Sequence, residues 1–138
     1  DPVTMRHPEE LLSFAGKVQN ISVPQYKTAF RVICENLAES EQVSFAMVAD
    51  EFCVDGAPGC WHIGIAVTQE RVFLCGETIA GRMMTRTVMD VWSRKDILSV
   101  QYANGRIRIR TRRALLTLRG ADLEPLAEAF RCAVLPEA

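Results

Sequence analysis

With 138 residues, 49% of them apolar and 24% charged, the chain is sized for one domain that builds its core without disulfides or metal ions. No apolar run approaches the roughly 20 residues that a membrane-spanning helix needs, and no basic start followed by an apolar stretch marks a secretory leader, so a cytoplasmic protein is expected. The net charge of −1 hides an asymmetry: residues 1–80 carry 5 basic and 11 acidic side chains, residues 81–138 carry 11 and 6, a polarity suited to self-association or to an anionic partner.

Residues 1–4 read as lying ahead of a natural start at Met5. From Pro8 to Val18 the apolar residues Leu11, Leu12, Ala15 and Val18 share a helical face, with Glu9 and Glu10 at the end where the helix dipole favours them. Ser22 is placed to cap a second helix that starts at Pro24 and runs to about Ala38, with Tyr26, Phe30, Ile33 and Leu37 along one stripe. The period then changes. Val43 to Phe52 alternates weakly as a first strand, and Asp55 to Gly59 reads as a loop by its turn residues. Trp61, Ile63, Ile65 and Val67 alternate with His62, Gly64, Ala66 and Thr68, a period of two that specifies a half-buried strand. A tight turn at Gln69-Glu70 leads into a strand from Arg71 to Cys75, a loop from Gly76 to Gly81 and a strand from Met84 to Trp92. Leu98–Tyr102 and Arg106–Arg112 flank Asn104-Gly105, a hairpin signal because both turn residues tolerate positive φ. A strand from Ala114 to Arg119 ends at Gly120. A closing helix from Asp122, its expected N-cap, to Leu135 carries Leu123, Leu126, Ala127, Phe130 and Val134 at helical spacing.

This order predicts an α+β, mainly β fold: a bent antiparallel sheet or partly open barrel of about seven strands, stoppered by the last helix. Residues 1–38 form a helical extension and residues 39–138 the sheet domain. The five cysteines (Cys34, Cys53, Cys60, Cys75, Cys132) are odd in number and sit among apolar neighbours, which reads as reduced, buried thiols rather than a disulfide framework.

Gly64-Ile65-Ala66-Val67-Thr68-Gln69-Glu70-Arg71-Val72-Phe73-Leu74 resembles the V-x-T-x-x-R signature of bacterial pleckstrin-homology-like domains. Trp92-Ser93-Arg94-Lys95-Asp96-Ile97-Leu98-Ser99-Val100 is similar to that family's segment between its fourth and fifth strands. The resemblance spans about Leu37 to Val134. It implies a strongly bent seven-stranded sheet with one open end blocked by the last helix, in a fold whose members bind phosphoinositides, peptides or proteins. Two departures weigh against a lipid headgroup: the loop between the first two strands, Asp50 to Gly56, is acidic, and the closing helix offers Phe130 where eukaryotic relatives carry tryptophan.

Arg106, Arg108, Arg110 and Arg112 occupy alternate positions of one strand, so their guanidinium groups share a face while Ile107, Ile109 and Thr111 point inward. Like charges about 7 Å apart repel, and an anionic partner surface would relieve them. Only Tyr102 lies near them among aromatics, so a stacking platform for nucleic acid is disfavoured. Thr68 and Arg71 read as structural: the hydroxyl bonds back into the tight turn and the guanidinium takes a carboxylate such as Asp96. Cys53, Cys60 and His62 match no common zinc spacing. Asp50 and Glu51, as strand neighbours, should point to opposite faces, and no nucleophile–base motif is present. The expectation is a non-catalytic binding or scaffold module of a bacterial cell. It needs no cofactor and contacts a protein or itself, and binding to anionic membrane lipid through the arginine strand is the alternative.

Overall fold

The computed structural model describes residues 4–20, 22–79, 84–120 and 122–135. Helix α1 (Pro8–Gln19) is followed by a 3-10 turn at Pro24–Tyr26 and helix α2 (Lys27–Glu35). The strands are β1 (Val43–Val54), β2 (Ala57–Thr68), β3 (Arg71–Ile79) and β4 (Thr85–Ser93), then, after a 3-10 turn at Arg94–Asp96, β5 (Ile97–Ala103), β6 (Arg106–Thr111) and β7 (Leu115–Arg119). Helix α3 (Glu124–Val134) closes the chain. All strand pairs are antiparallel, in the order β4-β3-β2-β1-β7-β6-β5, and β4 and β5 are left as the two edges of an open sheet.

The two faces of this sheet are buried by different elements. On the inner, concave face, Phe45, Met47, Ile63, Ile65, Leu74, Ile107, Ile109, Leu116 and Leu118 pack with Leu126, Phe130 and Val134 of α3, so the last helix seats on the sheet rather than standing free of it. Arg94 ties this corner together, donating from Nε to the Val134 carbonyl at 3.1 Å and from a terminal nitrogen to the Thr68 carbonyl at 3.2 Å. On the outer face, Leu11, Ala15, Phe30 and Ile33 of α1 and α2 meet Ala46, Val48, Ala66, Phe73 and Cys75. Gly64 makes this approach possible. A Cβ there would stand 3.0 Å from the Ala29 Cβ and 3.2 Å from the Phe30 ring.

Two-sided burial explains why β1 alternates so weakly in sequence: a strand covered on both faces has no polar side to display. Its first half, before it reaches β7, also lacks a second strand neighbour. The Gln19 amide fills that gap, donating to the Val48 carbonyl at 2.9 Å and accepting from the Val48 N–H at 2.7 Å. Met5 does the same at Val43, through paired backbone bonds of 2.9 and 2.8 Å.

Several expected boundaries move. The Asp55–Gly59 loop is a two-residue turn, Asp55 and Gly56 both at positive φ, and β2 resumes at Ala57. The expected loop from Gly76 is strand as far as Ile79, and its remainder, residues 80–81, lies outside the described residues. Ser22 caps no helix, because the 3-10 turn is capped at Val23 without a side-chain bond and α2 starts only at Lys27. Asp122 is not the N-cap of α3 either. It takes a positive φ of 57° and Leu123 caps the helix. The Asn104-Gly105 turn has positive φ at both residues.

Candidate functional site

The helices cover only the β1–β3 part of the outer face, and the part built from β5, β6 and β7 is bare. There the β6 ladder aligns Arg106 with Ala103 and Arg119, Arg108 with Gln101 and Thr117, and Arg110 with Ser99 and Leu115. Residues directly opposite in an antiparallel pair share a face, so Arg106 and Arg119 lie side by side as like charges. The ion pairs among the described residues give Arg119 a carboxylate, Glu51 at 3.5 Å, and give none to Arg106, Arg108 or Arg110. Arg112 lies just beyond β6 and is drawn off toward Asp96 at 3.6 Å. The structure therefore brings three of the four candidate arginines onto one open face with Arg119, and takes the fourth to the β5 corner.

Beside Arg106 the face sinks into a cleft of about 410 Å³ lined by Glu51, Cys53, Gly59, Trp61, Thr117 and Arg119. Trp61 is 40% exposed and forms its apolar wall. The cleft exists because the strands bend here. His62 takes a positive φ of 55° and the β2–β3 register slips between Trp61 and Gly64, a bulge that re-aims the side chains on either side of it. Gly59 is required by the same bend: a Cβ would fall 1.3 Å from the Phe52 carbonyl oxygen. Asp50 and Glu51, expected on opposite faces, both border the neighbouring hollow with Asn104, Arg106 and Gly120, because regular alternation fails at this bend.

Thr68 and Arg71 belong to a different network, at the helix-covered side of the β2–β3 turn. The Thr68 hydroxyl accepts from the Glu70 and Arg71 N–H groups at 3.2 and 3.0 Å and donates to Glu41 Oε2 at 2.7 Å. Arg71 donates to the two Glu41 oxygens at 3.0 and 2.5 Å and lies 4.6 Å from the Phe73 ring centroid. The carboxylate that Arg71 takes is thus Glu41 and not Asp96. Glu41 is buried, 3% exposed, and the Arg71 guanidinium holds its carboxyl down to a pKa of about 2. Arg6 adds a further tie, donating to the Ala38 carbonyl at 2.9 Å and to the Glu41 carbonyl. Sequence reasoning missed Glu41, which with Glu39 is one of two acids just ahead of the first strand and carries no local signal that sets it apart.

No family model, curated protein or solved structure matches the chain. Its chemistry has to be read from its own groups. The thiols of Cys34 and Cys75 are pushed up to about 11 by burial, and those of Cys53 and Cys60 are raised by the same cause. Cys132, expected inside, is exposed on α3 beside Glu128. His62 holds Glu77 at 3.2 Å and meets the Tyr26 ring edge-on. The described residues bring no three His, Cys, Asp or Glu side chains together in a metal-binding arrangement.

Proposed function

We propose that the chain is a non-catalytic binding module that seats an acidic protein surface on the bare outer face of β5, β6 and β7. The observation that carries this reading is the row Arg106, Arg108, Arg110, facing outward beside Arg119, in which the ion pairs among the described residues give a carboxylate to Arg119 alone. Such a row is repulsive by itself and is relieved when an anionic partner docks, because each guanidinium then gains a charge-assisted hydrogen bond. A binding role suits the titration behaviour too. A cysteine nucleophile needs a lowered pKa, whereas burial moves the thiols of Cys34, Cys53, Cys60 and Cys75 the other way.

A protein partner is favoured over a membrane by the placement of exposed apolar groups. Ile79, Met84 and Val91 lie at the β3–β4 side of the sheet, away from the arginines, so the basic face has only Trp61 and, on β5, Leu98 beside it to insert among lipids. The open antiparallel sheet with its seated closing helix supports a pleckstrin-homology-like relationship, in which the partner is set by the surface and not by the fold.

Titration of the chain with a polyglutamate peptide, followed by tryptophan fluorescence, tests the reading because Trp61 borders the arginines. Binding that weakens with salt, and that falls at least tenfold in an Arg106→Gln/Arg108→Gln/Arg110→Gln variant, is the expected result. Flotation with phosphatidylserine vesicles without peptide binding would transfer the face to the membrane. Neither interaction at low salt would remove it as a partner surface.

A further inference from the structure

The edge strand β4 has the features of a self-pairing surface. It pairs with β3 from Arg71↔Ser93 to Ile79↔Thr85 without a bulge and contains no proline, glycine or lysine. Its free rim is therefore straight and presents backbone N–H and C=O groups that natural edge strands usually blunt with such devices. The other edge is less regular, since the β5–β6 ladder slips between Ile97 and Ser99. Exposed apolar groups lie on and beside β4: Val91 within it is 39% exposed, Met84 just ahead of it 68%, and Ile79, opposite Thr85 at the end of β3, 64%.

Between Thr85 and Ser93 the only charged residues are Arg86 and Asp90. Asp90 lies opposite Leu74, a residue of the inner core, and Arg86 opposite Thr78 four places along β3. Both therefore project from the inner face of β4. Neither takes part in the ion pairs among the described residues. Asp90 is half-buried, and desolvation without a compensating cation pushes its carboxyl above the usual value.

We propose that two copies of the chain associate by antiparallel pairing of β4 with β4 about a twofold axis at Val88, which sets Arg86 of each copy opposite Asp90 of the other. The charges select this register. A twofold axis normal to the sheet keeps inner-face residues against inner-face residues. An axis at Asp90 would oppose two carboxylates, and one at Arg86 would oppose two guanidinium groups. Axes at Thr87 or Met89 would leave each charge facing Val88, Met84 or Trp92. Only the Val88 axis places opposite charges across the seam twice, at the 4.5–5.5 Å Cβ separation typical of cross-strand pairs. On the outer face the same register lays Val91 against Thr85 and Met89 against Thr87. The sheet then runs unbroken from one copy into the next.

Sedimentation equilibrium on the full chain tests the pairing, with Arg86→Asp, Asp90→Arg and the double swap. The wild type and the double swap are expected as dimers and each single swap as a monomer, because a single swap opposes like charges at both crossings while the double swap restores two attractive ones. Amide exchange of the wild type above and below the dissociation range should slow only along β4, a readout that needs no variant to fold. A wild type that stays monomeric up to about 100 µM, a single swap that stays dimeric, a double swap that stays monomeric, or an assembly larger than a dimer would overturn the proposal. The β4 edge lies at the opposite side of the sheet from the β6 arginines, so failure here leaves the acidic-partner reading standing, and the reverse holds as well.

Discussion

The outer face of the sheet is two surfaces built on one scaffold. Over β1, β2 and β3 it carries Ala46, Ala66, Gly64, Val48 and Phe73, and it is buried by α1 and α2. Over β5, β6 and β7 it carries Gln101, Arg106, Arg108, Arg110, Thr117 and Arg119, and among the described residues the helices α1 and α2 pack elsewhere, on β1, β2 and β3. The small residues of the first half allow a helix backbone close enough to exclude water, and the resulting burial stabilises the fold. The second half holds long cationic side chains that extend into solvent and contribute little to stability. One half is committed to folding and the other is free to bind. The boundary between them is the bend where Glu51 meets Arg119 and Trp61 is exposed, which is where the cleft forms.

The largest effect should come from breaking the covered half. Phe30 is fully buried between α2 and the sheet. Phe30→Ala removes that contact and leaves a cavity, so urea denaturation should show a loss of about 3–5 kcal/mol. Gly64→Leu attacks the same seam from the sheet side, where the added atoms have only the Ala29 methyl and the Phe30 ring to displace. Overpacking there should cost about 1–3 kcal/mol or detach α2. Either change should leave peptide binding by the arginine face intact below the new melting temperature.

The next largest effect lies in the Glu41–Arg71–Thr68 network, which joins the segment after α2 to the β2–β3 turn. The folded pKa of Glu41 is held at about 2, below its ordinary 4.5. The stabilisation is therefore fully present above about pH 4.5 and is lost as pH falls through about 2. A shift of this size corresponds to about 3 kcal/mol. Glu41→Gln should remove most of that acid sensitivity, and denaturation midpoints measured between pH 2 and pH 5 would show it as a flattened slope in the variant.

Legibility in the sequence followed the same division of the sheet. Where one face is solvated, as in β6, strict alternation of arginine with Ile107 and Ile109 identified the strand, its faces and the outward row of charge. Where both faces are buried, as in β1, alternation fades and the strand was only weakly visible. The turns split by chemistry: Asn104-Gly105 announced itself, while Asp55-Gly56 was followed by two further turn-forming residues, Pro58 and Gly59, and read as a longer loop. The helix caps were misplaced at Ser22 and Asp122 because a cap depends on backbone φ and ψ, which a side chain's preference does not determine. Long-range pairing was the least accessible. Nothing local to Arg71 distinguishes Glu41 from Asp96 as its carboxylate, and that choice is made by the packing of α2 on β2 and β3, which brings the segment ahead of β1 against the β2–β3 turn.

The smallest stability effect should come from the arginines. Arg108 is exposed and has no ion pair among the described residues, so Arg108→Gln should change the unfolding free energy by no more than about 0.5 kcal/mol. Arg106 is more informative because it stands directly opposite Arg119, and like charges in that relation destabilise a strand pair. Arg106→Gln should therefore stabilise the free protein by a few tenths of a kcal/mol in low salt, with the gain fading as salt screens the pair. The same substitution should weaken polyglutamate binding. A residue that lowers stability while raising affinity marks a surface shaped for a partner, whereas equal losses in both would assign Arg106 to the fold and merge the two halves of the face into one.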